Sequence, residues 1–221
     1  MDKFLKQIVW VIILIPAVYL AIVWKNLPET VATHFDLRGQ PDRIGSKNEL
    51  INTSIILIIV NAIVYLILTN IYRIDPKRYA AENKSRLQRI GFAVSVFMSG
   101  VLCYIIYNAS HGKINFSMRL LLAGIGLLFA LIGNYMHTIK PNYFAGFRLP
   151  WTLENEDNWR QTHLLGGKLW FIGGIAIAVI CLILPPTASL VAFYTIMIVV
   201  VIIPAVYSYR LYKKQKSRPE Q

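Results

Sequence analysis

Six long runs of apolar residues, at about 7–24, 50–71, 90–109, 120–136, 169–184 and 188–209, leave this chain few ways to fold. A helix rising about 1.5 Å per residue crosses the ~30 Å hydrocarbon layer of a bilayer in about 20 residues. The fourth and fifth runs are short, but Arg119 and Lys168 can lift their charges to the interface while their methylenes stay in the apolar zone. With 56% hydrophobic and only 15% charged residues among 221, the chain exceeds the apolar share of a soluble domain. The pattern predicts an all-α integral membrane protein with six transmembrane helices. The first run follows a basic start, yet it is too long for a signal core and lacks a small-x-small cleavage site, so it reads as a retained span.

The net charge of +12 comes from 23 Lys and Arg against 11 Asp and Glu. In a soluble chain such an excess points to nucleic acid; beside membrane spans it is a topology signal, and no nucleic-acid partner is expected. With both termini on one side, 17 of the 23 basic residues share that side, which makes both termini cytoplasmic. Residues 25–49 then face outward, and 72–89 and 138–168 face inward. The partner implied by composition alone is the lipid bilayer of the cell membrane.

The spans are as informative for what they omit. All 11 acidic residues lie outside the apolar runs, which argues against proton- or sodium-coupled transport and against an intramembrane aspartyl protease. No HExxH, GxSxG or GxxxxGK[ST] motif occurs, so no catalytic role and no cofactor are implied. Asn61, Asn70 and Asn134 read as interhelical hydrogen-bond formers. His34 and His111 fall outside and His137 and His163 inside; without a carboxylate or thiolate at set spacing they make no convincing metal site. Cys103 and Cys181 read as filler, and Pro16 and Pro204 as kinks. Pro185, Pro186 and Thr187 alone join the last two spans, which must form an antiparallel hairpin. The third connection, 108–116, is short, and 213–221 resembles a disordered tail.

Two aqueous segments carry the rest of the information. The outer one has turn residues at Pro28, Gly39, Pro41 and Gly45 and room for one short extended piece, VATHF, and reads as a folded cap. His34, Phe35, Arg38, Gly39 and Asp42 are its candidate ligand contacts. In the inner one, Pro150 turns the chain, Thr152 caps a helix, and Trp159, His163, Gly166 and Trp170 recur at i, i+4, i+7 and i+11 on one face. An interfacial anchor built on Trp151 and Trp159, and an anchor that is also a scaffold, both fit this pattern. On the scaffold reading Arg148 organises the stretch through carbonyls ending the fourth span or the carboxylates of Glu154 or Asp157. Arg148→Lys should then be harmful, and Trp159→Phe mild.

The segment GNYMHTIKPNYFAGFRLPWTLENEDNWRQTHLLGGKLW resembles the signature of the SdpI family of bacterial membrane proteins. The matching positions are Gly133, Asn134, Tyr135, Asn142, Tyr143, Gly146, Arg148, Pro150, Trp151, Thr152, Leu153, Trp159, Thr162, His163, Gly166 and Lys168. LPETVATHFDLRGQPDRIGSK is similar to a small domain of unknown function that often precedes this region. The resemblance implies two parts: residues 1–75, a helical hairpin with the outer loop, and 76–221, an SdpI-like four-helix membrane region containing the inner loop 138–168. It implies immunity against a secreted antimicrobial peptide toxin, with recruitment of a cytosolic repressor as a second task. The alternative is a small transporter or lipid-handling protein, with Arg148 and His163 on a polar path.

Overall fold

A computed structural model describes residues 3–77, 79–111 and 117–217. Arg78, Lys113 and Arg218 of the basic count, most of the 108–116 connection and the end of the tail lie outside the described residues. The protein is a predominantly helical membrane protein, and among the described residues six helices are long and apolar enough to cross a bilayer. They are α1 (Lys3–Val23), α2 (Lys47–Asn70), α3 (Ala80–Ser110), α4 (Met118–Met136), α6 (Glu156–Ile183) and α7 (Pro186–Lys216), with a one-turn helix α5 (Pro150–Glu154) before α6. α1 runs through Pro16 and α7 through Pro204 without interruption. The chain divides into two compact units, Met1–Leu68 with Gly91–Leu121, and Thr69–Ile90 with Leu122–Gln221.

In the first unit Val9 and Ile13 of α1 pack on Tyr65 of α2, with Phe92 of α3 alongside. Between α2 and α3 runs a polar seam: Asn61 donates to the Ser95 carbonyl at 3.2 Å and to the Ser99 hydroxyl at 3.1 Å. Between α1 and α2 the chain forms a β-hairpin rather than the single extended piece expected. Strands β1 (Thr30–Phe35) and β2 (Pro41–Ser46) are antiparallel, with Thr30 opposite Ser46 and Phe35 opposite Pro41. Pro41 and Gly45, expected in turns, therefore lie in β2; Pro is tolerated at the first residue of a strand. The tip is set by Asp36, whose Oδ1 accepts the N–H groups of Arg38 and Gln40, each at 2.8 Å, and by Gly39 at φ 80°. Val31 ties the hairpin down by packing against Leu27, Leu50, Leu102 and Ile106.

In the second unit α6 and α7 form the antiparallel hairpin read from the two prolines. α4 lies against α6 through small residues: a Cβ at Gly133 would stand 2.8 Å from the Gly167 carbonyl oxygen, and one at Gly126 would stand 2.6 Å from that of Gly174. Without a hydrophobic drive between helices in lipid, such backbone-to-backbone approach is what holds them.

Two helices, α3 and α6, begin well before their apolar runs. α3 starts at Ala80 because Ala80, Asn83, Leu87 and Ile90 repeat on one buried face. α6 likewise takes the amphipathic stretch and the fifth span into a single rod. Its start differs from the sequence expectation. Thr152 lies inside α5, and the cap of α6 is Asn155, whose side chain accepts the Asn158 N–H at 2.8 Å, followed by Glu156 and Asp157 in the first turn.

Arg38 and Glu154 are exposed, whereas Gly39 needs its positive φ and Asn155 is a cap, so the first two are the better reporters of sidedness. In a background lacking Cys103 and Cys181, Arg38→Cys should react with an impermeant maleimide on whole cells and Glu154→Cys only after lysis. The reverse pattern would invert the topology.

Candidate functional site

The stretch 138–168 is folded by side chains that are all but removed from solvent. Asn142, 1% exposed, uses its whole amide: Oδ1 accepts from the N–H groups of Phe144 (2.8 Å) and Ala145 (2.7 Å), and Nδ2 donates to the carbonyls of Lys140 (2.9 Å) and Ala145 (3.2 Å). One side chain therefore fixes a complete turn. From α3, Asn83 grips the same loop by a two-point bond, donating to the Lys140 carbonyl at 3.0 Å and accepting its N–H at 2.9 Å.

α6 presents the face read from its spacing. Trp159 is buried, stacks on the His163 ring with centroids 3.9 Å apart, and donates its indole N–H to the Ile139 carbonyl at 2.8 Å. His163 Nε2 accepts the Phe147 N–H at 3.0 Å, so the ring proton must sit on Nδ1, which donates to the Trp159 carbonyl at 2.8 Å. Both ring nitrogens are thus engaged with main chain, which removes His163 from metal ligation. Gly146, at φ 101°, passes so close to this imidazole that any Cβ would collide with Nε2. Phe147 then lies over Gly166, where a Cβ would come within 2.5 Å of its ring.

The other end of the loop is held in the same manner. The Thr152 hydroxyl donates to the Phe147 carbonyl at 2.7 Å and accepts the Leu149 N–H at 3.0 Å, so Phe147 is clamped through both its N–H and its carbonyl. Trp151 donates to the Ser208 hydroxyl at 2.6 Å, Ser208 donates to Asn158 Oδ1 at 3.1 Å, and Thr162 donates to that oxygen at 3.0 Å. Asn158 closes the network by donating to the Ser208 carbonyl at 3.1 Å. This fastens the loop to α7.

Arg148 does not organise the stretch. Its guanidinium is exposed and donates to the Tyr143 carbonyl at 2.8 Å, instead of reaching α4 or the carboxylates of Glu154 or Asp157. Tyr143 and Phe144 are exposed as well. Asn134, His137 and Lys168 line a separate cavity at the end of α4. Sequence reading missed Asn83, Phe147, Asn158 and Ser208. The i, i+4 spacing of Asn158 and Thr162 was a usable signal, whereas Ser208 inside an apolar run was not.

On the hairpin, His34 Nδ1 meets Asp42 Oδ1 at 2.6 Å across the strands, both side chains being well exposed. Arg38 is exposed at the tip, Gly39 forms the turn and Phe35 is partly buried. Beside them Leu37 and Ile44 are 61% and 67% exposed.

These motifs coincide with known families. A model of the SdpI/YfhL protein family matches residues 138–208. The chain carries an SdpI/YfhL-family region. A domain of unknown function (DUF1648) matches residues 11–59, which take in most of α1, the hairpin and the first half of α2. Immunity protein SdpI of Bacillus subtilis (strain 168) is 30% identical over 91 residues, 41% of this chain and 44% of that protein. An uncharacterized protein of Archaeoglobus fulgidus is 43% identical over 49 residues, 22% of this chain and 27% of that protein. The chain therefore matches less than half the length of either relative. No solved structure matches it.

The geometry reverses the order of mutational sensitivity expected from sequence. Trp159→Phe leaves the buried Ile139 carbonyl without a donor and should cost about 1–3 kcal/mol. Gly146→Ala meets both a forbidden φ and the His163 ring and should cost at least as much, on the order of 1–3 kcal/mol. Arg148→Lys, at an exposed site with one carbonyl contact, should stay within about 0.5 kcal/mol of wild type. Thermal unfolding of expression-matched variants in detergent measures all three; an Arg148→Lys protein less stable than Trp159→Phe would contradict the network described above.

Proposed function

We propose that the chain is a multi-pass immunity protein of the cytoplasmic membrane that protects its cell against a secreted antimicrobial peptide. The carrying observation is the match of residues 138–208 to the SdpI/YfhL family, together with the similarity to a protein named for immunity. Supporting it, six of the family's matching positions are spent on folding a loop: Asn142, Gly146, Thr152, Trp159, Thr162 and His163 all serve main-chain or buried side-chain partners. On this reading the protein is a binding scaffold and no enzyme.

Both termini are assigned to the cytoplasm on the basic asymmetry, which leaves the hairpin to face arriving toxin. A rigid ribbon with exposed Leu37 and Ile44 beside the charged pair His34 and Asp42 suits an amphipathic peptide, whose apolar and charged groups would both find a partner. The exposed Tyr143, Phe144 and Arg148 offer the corresponding inner face to a cytosolic repressor.

Replacing residues 34–43 by a flexible polar linker should abolish protection in a killing assay with secreted antimicrobial peptide from sibling cells, while the amount of protein in the membrane stays constant. Full survival of cells carrying the linker variant would place the ligand site elsewhere, and equal survival with and without the intact gene would remove the immunity reading itself.

A further inference from the structure

A cavity of about 330 Å³ opens where α4 ends against the middle of α6, within the second unit. Its floor is the contact between Gly133 and Gly167, where the two backbones touch and no side chain can rise to fill the space. The cavity lies where the charged part of the chain gives way to the apolar runs. His137 follows the last residue of α4, and Lys168 is the last charge before the apolar run of α6. About one turn deeper, Phe171 and Ile172 form its apolar wall, 45% and 64% exposed.

The rim differs from the loop next to it. There Asn142, Thr152, Trp159, Thr162 and His163 are all engaged, whereas the side chains of Asn134, His137 and Lys168 make no hydrogen bond or ion pair among the described residues. The acidic groups at the start of α6 offer no counter-charge: Asp157 is taken by Arg160 at 2.8 Å and Gln161 at 2.6 Å, and Glu156 accepts from Tyr79 at 2.8 Å. Among the described residues the Lys168 ammonium has no carboxylate partner and stands open to an anion from outside. A soluble anion could use the rim but gains nothing from the apolar wall, while a lipid uses both.

We propose that this cavity binds one anionic phospholipid, with its phosphate between Lys168, His137 and Asn134 and one acyl chain along Phe171 and Ile172. The lipid would cover the line where α4 and α6 meet, completing a seam that glycines leave open. The site gives Asn134 and Lys168, which have no role in the loop, a shared task.

The test is native mass spectrometry of delipidated full-length protein in detergent, titrated with phosphatidylglycerol, phosphatidylcholine or inorganic phosphate. Wild type should retain one phosphatidylglycerol in preference to phosphatidylcholine. Lys168→Gln should weaken that binding about fivefold, the weight of one basic side chain at an anionic headgroup. Ile172→Trp, which keeps every charge but fills the apolar side, should weaken it as well, whereas Lys214→Gln at the end of α7 removes the same charge and should not. Equal retention of the two lipids, an equal loss in Lys214→Gln, or undiminished binding in Ile172→Trp would overturn the proposal. Displacement of the lipid by millimolar phosphate would do the same, marking a soluble-anion site.

Discussion

The bond from the Phe147 N–H to His163 Nε2 is the contact on which the inner loop depends. It exists because Gly146 has no side chain and takes a positive φ, and because the neutral imidazole keeps its proton on the other nitrogen, facing the Trp159 carbonyl. Every further attachment builds on that placement. Phe147 can then offer its carbonyl to Thr152, Thr152 can hold the Leu149 N–H, and the chain can turn at Pro150 into Trp151 and its bond with Ser208. In an apolar surrounding a half-made network costs more than none, so the completeness of these pairings matters more than any single one.

The two units solve the same problem by different means. Loop backbone next to a membrane must find partners for its N–H and carbonyl groups. The connection from α1 to α2 does so by pairing with itself in a hairpin, stapled by Asp36 at the tip and Val31 at the base. The connection from α4 to α5 relies instead on amide and hydroxyl side chains that act as surrogate backbone: Asn142 within the loop, Asn83 from α3, Thr152 from α5. Tyr143, Phe144 and Arg148 are left over at the surface, where they are available to other molecules.

Much of the fold was legible in the sequence because its strongest signals are one-dimensional. Apolar length gave six spans, and the Pro185–Pro186 pair gave the α6–α7 hairpin. The face of α6 carrying Trp159, His163, Gly166 and Trp170 followed from spacing. What sequence could not show was direction. Arg148 reads as the organising fork of the stretch by its chemistry, yet it is exposed and reaches only the Tyr143 carbonyl. Trp159 reads as an interfacial aromatic by its type, yet the loop folds over it. Ser208 is silent in an apolar run because its partners lie 50 and 57 residues away in sequence. Hydrogen-bond partnership across such separations leaves no local periodicity to read.

The fusion of amphipathic stretch and apolar span into one α6 joins two sets of constraints on a single rigid axis. Near its start Asn158, Trp159 and His163 must point at Ser208, Ile139 and Phe147. Farther along, Gly167 and Gly174 must point at Gly133 and Gly126. Since successive helical residues advance by a fixed angle, turning α6 about its own axis to ease one set would swing the other out of register. The rotational setting of this helix is therefore specified twice, once by buried hydrogen bonds near its start and once by glycine contacts along the span. Neither set can relax it alone.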